Sequence, residues 1–284
     1  MRTLIIGGSS KIGKYFKSKK YLKTYYKNTV KDGIYFDLAR SNIIKIIDKY
    51  NITKIVLLSA ISDPDECYNN KTLSNNLNVI FTIKLLKKII SKNIYFVFFS
   101  SEYIFDGLKG NYSEKSIPKP NNLYGKQKLK VENFIKKKTK NFTIFRIAKT
   151  YTDNLKDNTL ISNHLKLIKK KVKNLYVAYD QKFNPLFVHD LIKITDFFLY
   201  HKIKGVYNVG GPEKISRFNA IRKINNTLGF QKKINIKKIK FSKFKLIEKR
   251  PLNVTMNCNK LFKVYNKKLT LIEGVVRKIA KNKN

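Results

Sequence analysis

The sequence predicts an α/β protein built on a doubly wound parallel sheet, with a smaller part towards the C-terminus that carries substrate-side residues. Short apolar runs such as "TKIVLLSA" and "IYFVFFSS" have the continuous hydrophobic character of strands that are buried on both faces. Segments with apolar residues at helical spacing, such as "SNIIKIIDKYN", separate these runs. Strands and helices that alternate in this way form parallel sheets with helices on both faces.

The first 150 residues follow this rhythm closely. Ser41 is the expected N-cap of the second helix, since a serine hydroxyl commonly accepts a hydrogen bond from the first helical turn. The predicted elements are, in order, a strand at 2–8, a helix at 11–22, short strands at 23–28 and 33–38, a helix at 41–51, a strand at 53–60, a helix at 75–93, a strand at 94–101, a helix at 121–138 and a strand at 142–148.

The rhythm becomes irregular after about residue 150, where strand-like and helical segments still alternate but with uneven spacing. We therefore predict two parts, residues 1–150 and residues 151–284. We expect the second part to be the smaller one and to return some of its elements to the main sheet.

The chain is strongly basic, because 61 lysines and arginines against 18 aspartates and glutamates give a formal net charge of +43. One interpretation is a basic field that binds nucleic acid or an anionic membrane. The other is codon bias from an AT-rich genome, which inflates lysine, asparagine, isoleucine and tyrosine together. The lysine runs contain no motif of a known nucleic-acid module, so we expect neither nucleic acid nor a membrane as a partner.

Other features of the composition favour a cytoplasmic protein. No stretch of about 18 apolar residues is present, and the N-terminal apolar run is too short for a signal peptide. Cys67 and Cys258 cannot make a disulfide framework, and neither has a Cys or His partner at metal-ligand spacing. We predict no metal site.

The first predicted strand ends in "GGSSKIG". A glycine turn between a strand and a helix offers free N–H groups and the positive end of the helix dipole to a pyrophosphate, so this segment predicts dinucleotide binding. Ser10 stands where the G-x-x-G-x-x-G pattern would place its middle glycine. The candidate cofactor-binding residues are Gly7, Ser9, Ser10, Lys11, Ile12 and Gly13.

The usual acidic residue about 20 positions further on, which holds a ribose 2′-hydroxyl, is missing. Lys27, at the end of the second strand, could instead hold a 2′-phosphate, which favours NADPH, with NADH as the alternative. Asp37 and Leu38 close the next strand and are candidates for the adenine end. An aspartate at this position is equally expected as a turn or helix cap.

Tyr124 and Lys128 lie four residues apart on a predicted helix, so their side chains share one face. Three other tyrosines have a lysine at this spacing: Tyr15, Tyr50 and Tyr200. Only Tyr124 follows, after a short loop, a strand that ends in Ser101. A neighbouring ammonium lowers a tyrosine pKa from about 10, which favours proton transfer near neutral pH. Ser101 to polarise a carbonyl, Tyr124 to donate a proton and Lys128 to hold the ribose make a carbonyl-reduction set, with the hydride supplied by the cofactor.

Several ordered blocks of the chain resemble one family. "SSEYIFDGLKGNYSEKSIPKPNNLYGKQKLKVENFI" is similar to the central block of the extended short-chain dehydrogenases/reductases, and most similar to the nucleotide-sugar reductases of the dTDP-4-dehydrorhamnose reductase family. "LSAISDPDECYNN", "YDQKFNPLFVHDL", "GVYNVGGPEKISRF" and "RPLNVTMNCNKLF" resemble further signature segments. The resemblance covers nearly the whole chain and implies a Rossmann-type fold with NAD(P)H bound in residues 1–150.

The resemblance implies reduction of the 4-keto group of a nucleotide-linked 6-deoxysugar, with Ser101, Tyr124 and Lys128 as the catalytic residues. It also allows a homodimer. It adds four residues on the cofactor side, namely Ser59, Ala60 and Ile61 as lining residues and Asn78 as a support. On the substrate side it points to Ser101, Tyr103, Asn184 and Arg250. An arginine fork suits a diphosphate, although Arg250 is equally expected to form a salt bridge within its loop.

Two departures from the family pattern leave alternatives open. Lys149 and the absence of any tryptophan, where the family often has one beside the sugar, are compatible with a nucleotide-sugar epimerase or dehydratase. Ser10 in the glycine turn is compatible with a non-catalytic regulatory homologue. Nucleic-acid binding through the net charge is the remaining alternative.

Overall fold

The computed structural model describes residues 2–230 and 233–281. Its central sheet has seven parallel strands: β1 (Arg2–Ile6), β2 (Tyr21–Tyr25), β3 (Ile34–Tyr35), β4 (Ile52–Leu57), β5 (Tyr95–Ser101), β6 (Phe142–Ile147) and β11 (Gly205–Val209). Their order across the sheet is β11-β6-β5-β4-β1-β2-β3. The order in which successive strands are added to the sheet reverses between β1 and β4. In such sheets, ligands bind beyond the carboxyl ends of the strands at the position of this reversal.

Helices cover both faces of the sheet. They are α1 (Ile43–Tyr50), α2 (Pro64–Asn69), α3 (Lys71–Asn75), α4 (Thr82–Ser91), α5 (Leu123–Lys138), α6 (Leu160–Lys169), α7 (Val188–His201), α8 (Arg217–Thr227), α9 (Asn259–Tyr265) and α10 (Ile272–Lys281). Side chains of α1, α4 and α5 pack on one face, and those of α7 and α9 pack on the other. Within the described residues, no helix is long and apolar enough to cross a membrane.

Strand β5 shows why the sheet is buried on both sides. Successive side chains of a strand point to opposite faces. Phe96 and Phe98 accordingly pack in the core beneath α4 and α5, whereas Val97 and Phe99 pack in the core beneath α7. All four are almost inaccessible to solvent, so an apolar residue is needed at every position of the run.

A third apolar core joins the elements that follow β6. Three two-stranded pairings surround it: β7 (Thr150–Tyr151) with β10 (Leu186–Phe187), β8 (Asn174–Ala178) with β13 (Asn235–Ile239), and β9 (Lys182–Phe183) with β12 (Ile215–Ser216). Strand β11 pairs with β6 in the central sheet, although it lies late in the chain. The division into residues 1–150 and 151–284 stays a prediction.

The helix predicted at residues 11–22 is wrong. Tyr21 already pairs with Thr3 in the sheet, so the connection from β1 must end before it. Within that connection Tyr15 and Phe16 are buried, whereas the surrounding lysines are exposed. One 3₁₀ turn at Gly13–Tyr15 is enough to bury these two rings, and α7 packs against this turn.

Two further helix predictions need correction in detail. Asn42, not Ser41, caps α1, because its side-chain oxygen accepts a hydrogen bond from the Ile44 N–H at 3.1 Å. The Ser41 hydroxyl instead accepts the Asp37 N–H. The long helix predicted at residues 75–93 is present, but its first part, Asn76–Phe81, is a π-helical segment that leads into α4. Such segments are frequent at functional sites.

Candidate active site

The fold brings Ser101 and Tyr124 together beyond the carboxyl end of β5. Ser101 is the last residue of that strand, and its hydroxyl accepts the Tyr103 N–H at 3.2 Å. Asn122 caps α5 by accepting the Gly125 N–H at 2.8 Å, which places Tyr124 in the first helical turn. The Ser101 hydroxyl lies beside Tyr124, where it favours the phenolate form of that side chain.

Lys128 lies one turn further along α5 and is buried, with 4% of its surface exposed. Its ammonium donates to the Phe99 carbonyl at 2.9 Å and lies 5.8 Å from the centre of the Tyr124 ring. Burial lowers the pKa of Lys128 to about 8. The neutral and the protonated forms of Lys128 therefore interconvert at a pH close to the physiological range.

The expectation that Lys128 lowers the pKa of Tyr124 is not met in this structure. Burial of the phenol raises its pKa, and the hydrogen bond from Ser101 is the counteracting influence. The reason is that Tyr124 is nearly enclosed, so its charged phenolate loses hydration. In this arrangement Tyr124 is a protonated phenol at neutral pH.

A cleft of about 460 Å³ connects the glycine turn with this group. Lys11 and Ile12 line it at the turn, and Ser101 and Tyr124 line it at the other end. A dinucleotide is a long ligand whose pyrophosphate and nicotinamide need two separated sites, and residues of both the glycine turn and the Ser101 and Tyr124 group line this cleft. The residues present therefore fit the cofactor that the sequence predicts.

The glycine turn is tightly packed. Gly7 has φ of +91°, and a Cβ there would lie 2.9 Å from the Ser59 nitrogen, at the reversal between β1 and β4. A Cβ on Gly13 would lie 2.3 Å from the Gly7 carbonyl oxygen. The Ser10 hydroxyl accepts the Gly13 N–H at 3.0 Å, so the serine closes the turn from within. The departure from glycine at position 10 is thus accommodated.

Replacing Gly13 with alanine should destabilise the protein by about 1–3 kcal/mol, because the added methyl group overlaps the Gly7 carbonyl. Urea unfolding measures this change. Gly274→Ala is the matched control, since its Cβ would make an ordinary contact with Thr270 within helix α10, where alanine is the better helix former. Equal stability of the two variants would contradict this account of the turn.

The predicted support, Asn78, lies on the π-helical segment and is buried. Its side-chain oxygen accepts the Ile61 N–H and its amide group donates to the Ile61 carbonyl, both at 2.9 Å. The same amide donates to Gln127 on α5 at 2.7 Å. Asn78 therefore ties the half-buried segment Ser59, Ala60 and Ile61 to the helix that carries Tyr124.

The residues predicted for the adenine end lie away from the cleft lining. Lys27 is exposed after β2, and Leu38 packs against an apolar core. The Asp37 carboxylate accepts the Ala39 N–H at 2.8 Å, which is the role of a turn cap. Asp37 was expected either at the adenine end or as a turn cap, and in this structure it caps the turn.

The predicted substrate residues separate into two groups. Tyr103 and Arg250 line the cleft. Arg250 also donates to Asp65 and to the Glu248 carbonyl, both at 3.0 Å, so its salt bridge joins the loop to α2 and does not lie within the loop itself. Asn184 does not line the cleft: it is buried, and its amide binds the Met256 N–H and the Gly211 carbonyl. Its position argues against direct contact with substrate.

Glu102 is a cleft residue that was not predicted from the sequence. It follows Ser101 directly and is 3% exposed. One carboxyl oxygen accepts the Lys149 N–H at 3.2 Å, and the other has no hydrogen-bond partner among the described residues. Burial raises the pKa of Glu102 to about 8. The sequence feature that could have predicted Glu102 is an acidic residue immediately after the two serines that end β5.

A second cavity, of about 260 Å³, adjoins the cleft. Lys149, Thr150, Asn158 and Thr159 line both spaces. Its remaining walls come mainly from α6, β8 and the start of α8, and they are largely apolar and aromatic. These four residues form the shared border of the two cavities.

Comparison with known proteins shows the family to which the chain belongs. The model of the RmlD substrate binding domain family matches residues 1–283. The chain belongs to this family. A dTDP-4-dehydrorhamnose reductase from Aggregatibacter actinomycetemcomitans is 24% identical to it over 92% of each chain. The predicted family and the predicted α/β fold are confirmed.

Other similar proteins include one that is named as a subunit and not as a reductase. Methionine adenosyltransferase 2 subunit beta from Xenopus tropicalis is 27% identical over 233 residues, which cover 76% of this chain and 69% of the relative. Among solved structures, a hypothetical dTDP-4-dehydrorhamnose reductase from Sulfolobus tokodaii has a TM-score of 0.84 at 25% identity, covering 96% and 99% of the two chains. A Bacillus anthracis dTDP-4-dehydrorhamnose reductase in complex with NADP has a TM-score of 0.83 at 20% identity, over 99% of each chain, and shares the Rossmann-type fold.

Proposed function

We propose that this protein is an NAD(P)H-dependent reductase of the 4-keto group of a nucleotide-linked deoxysugar. The observation that carries the proposal is that Ser101 and Tyr124 line one end of a cleft that reaches Lys11 and Ile12 of the glycine turn, with Lys128 buried one helical turn beyond Tyr124. Family membership and the NADP complex of the Bacillus anthracis relative support it.

Each of the three residues has a role that follows from its position. Tyr124 lines the cleft and is protonated at neutral pH, so it can donate a proton to a carbonyl oxygen as negative charge develops there. Ser101 lines the cleft together with Tyr124 and can polarise the same oxygen. Burial keeps the resting phenol protonated, and the Lys128 ammonium, 5.8 Å from the ring centre, can stabilise the phenolate once the proton has left.

The nicotinamide cofactor, when bound, supplies the hydride. Lys11, Ile12 and the backbone of the glycine turn would hold its pyrophosphate, and Asn78 keeps the Ile61 segment beside it in place. The exposed Lys27 favours NADPH, because no acidic residue of the turn region opposes a 2′-phosphate there. Burial of Tyr124 and Lys128 excludes water from the reacting atoms.

The proposal is tested by loss of NADPH absorbance with freshly prepared 4-keto-6-deoxysugar nucleotides carrying thymidine or uridine diphosphate. We expect turnover with at least one of them. Binding of NADPH without turnover of any would count against the reductase. Purified protein that retains oxidised cofactor would favour an epimerase or dehydratase, because those enzymes return the hydride to the substrate.

Turnover should fall as pH rises through about 8. Burial lowers the pKa of Lys128 to that value, so the ammonium is present below it and lost above it. Without the ammonium the Tyr124 phenolate is less stable, and proton donation becomes harder. The measurement is kcat/KM from about pH 6 to about pH 10, with circular dichroism at each pH as the control for folding. A flat profile through pH 8 would contradict this role of Lys128.

A second candidate is a subunit that acts on a partner enzyme. The similarity to methionine adenosyltransferase 2 subunit beta supports it, because that relative is named as a subunit and not as an oxidoreductase. The missing helix after the glycine turn also removes one source of anion affinity. A stable stoichiometric complex with a host enzyme, together with absence of turnover, would favour this candidate.

A further inference from the structure

One loop in the later part of the chain borders the cleft beside the glycine turn. This segment, residues 152–159, connects β7 to α6, and we term it the lid loop. Most of its residues line the cleft, namely Thr152, Lys156, Asp157, Asn158 and Thr159. Lys11 and Ile12 of the glycine turn and Lys14 just after it line the same space. A dinucleotide in the cleft would therefore lie between the lid loop and the turn.

A single carboxylate joins the lid loop to the segment that follows the glycine turn. Asp157 accepts hydrogen bonds from the Tyr15 hydroxyl at 2.7 Å and from the Lys14 ammonium. Thr152, within the lid loop, donates to the same carboxylate at 3.0 Å. Among residues 2–230 and 233–281, every hydrogen bond between the lid loop and residues 7–16 involves the Asp157 side chain. Loss of this one carboxylate would remove the polar link across the cleft.

The link is charged and is held on a rigid element. The Asp157 side chain is 11% exposed. Although burial disfavours its charged form, hydrogen bonds from Lys14, Tyr15 and Thr152 hold the pKa of Asp157 below its usual value. Charge-assisted hydrogen bonds of this kind are stronger than neutral ones. The Tyr15 ring in turn packs edge-on against His189 of α7, with 5.1 Å between the ring centres.

The lid loop is anchored separately at its two ends. Near its start, the Asp153 carboxylate lies 3.2 Å from a ring nitrogen of His189. At its end, the Thr159 N–H donates to the Ser162 hydroxyl at 3.0 Å in the first turn of α6. Between these anchors Leu155 packs against the third apolar core. A loop that is fixed at both ends and tied across a cleft by one side chain has the form of a lid that can open while its ends stay in place.

We propose that Asp157 is the latch of a lid over the cofactor, so that entry and release of the dinucleotide both wait for the lid loop to leave the segment after the glycine turn. The inference rests on the proposed function only for the identity of the ligand. A latch that is closed in the free and in the loaded protein slows entry and release equally, and it leaves the equilibrium affinity unchanged. Asp157 is thus a positioning residue and needs no contact with the cofactor.

Stopped-flow fluorescence of NADPH binding and release tests the latch. Asp157→Asn should raise the association and the dissociation rate constants together by about tenfold, because it removes the charge that holds the lid loop, while Kd stays within about threefold of that of the wild type. Asp48→Asn is the matched control, since Asp48 forms a surface pair with Lys92 and does not line the cleft. It should leave both rate constants unchanged.

Tyr15→Phe keeps the proposal testable should Asp157→Asn fail to fold. It retains the ring against His189 and removes one hydrogen bond to the latch, so both rate constants should rise by about threefold. Circular dichroism checks the folding of each variant.

The outcomes separate the latch from other roles of Asp157 and from the proposed reaction. Unchanged rate constants in the folded variants would overturn the proposal, as would a wild type that binds no NADPH. Faster release with unchanged association would also overturn it, by making Asp157 a direct support of the bound cofactor. Slower release would do the same, by showing that the carboxylate competes with the pyrophosphate. Parallel acceleration in a protein that reduces no 4-keto sugar would support the latch and contradict only the proposed reaction.

Discussion

Tyr124→Phe should lower kcat by about a hundredfold to ten-thousandfold, because it removes the proposed proton donor and leaves the ring in place. The fold should not change, since the ring packs in the same space and the neighbouring Ser101 hydroxyl keeps its contact with the Tyr103 N–H. NADPH affinity should remain within a few-fold of that of the wild type. Steady-state turnover and fluorescence titration with NADPH measure the two effects.

Tyr200→Phe is the matched control for this substitution. Tyr200 also has a lysine four residues further on, Lys204, but its side chain is 79% exposed and lies on α7 away from the cleft. Full activity of Tyr200→Phe beside an inactive Tyr124→Phe would show that location, and not the Tyr-x-x-x-Lys spacing, creates the site. Undiminished turnover by Tyr124→Phe would remove Tyr124 from the mechanism.

Arg146→Met should destabilise the protein by about 3–5 kcal/mol, because it leaves the buried Glu132 carboxylate without its counter-charge. Arg146 binds that carboxylate at 2.9 Å through one terminal nitrogen and also donates to the Glu114 carbonyl. The side chains of Arg146 and Glu132 are 3% and 0% exposed, so water cannot replace the lost partner. Urea unfolding of wild type and variant measures the difference.

The surface pair Lys92 and Asp48 provides the matched control. Both side chains are roughly half exposed, so Lys92→Met should change stability by less than about 1 kcal/mol. The double variant Glu132→Met with Arg146→Met should recover much of the lost stability, because apolar side chains of similar volume remove the uncompensated charge. A single Arg146→Met variant as stable as the surface variant would contradict the buried-pair account.

The sequence predicts best those elements in which burial or helix capping restricts the residues at each position. Strand β5 and helix α5 appear close to their predicted positions, since an unbroken apolar run and an asparagine-capped helix admit few alternatives. Because Ser101 ends that strand and Tyr124 begins that helix, their meeting was predictable from position alone. The roles assigned to them remain predictions until the variants are measured.

The failures have physical causes that local sequence does not contain. Residues 11–22 have helix-forming composition, but the sheet takes Tyr21 for β2, and only Tyr15 and Phe16 need burial before it. The raised pKa of Tyr124 depends on how completely the surrounding elements enclose it, not on the lysine spacing. Lys149 and Arg217 are distant in sequence and line the same cavity only because the segment after β6 and the start of α8 border it.

The most direct test of the account is transfer of deuterium from cofactor to sugar. The protein is incubated with NADPH deuterated at nicotinamide C4, in separate experiments for each face, and with a nucleoside diphosphate-linked 4-keto-6-deoxysugar. The account predicts that one labelled form gives product with deuterium at sugar C4, located by NMR and mass spectrometry. Folded protein that binds NADPH but transfers deuterium from neither form to C4 would contradict it.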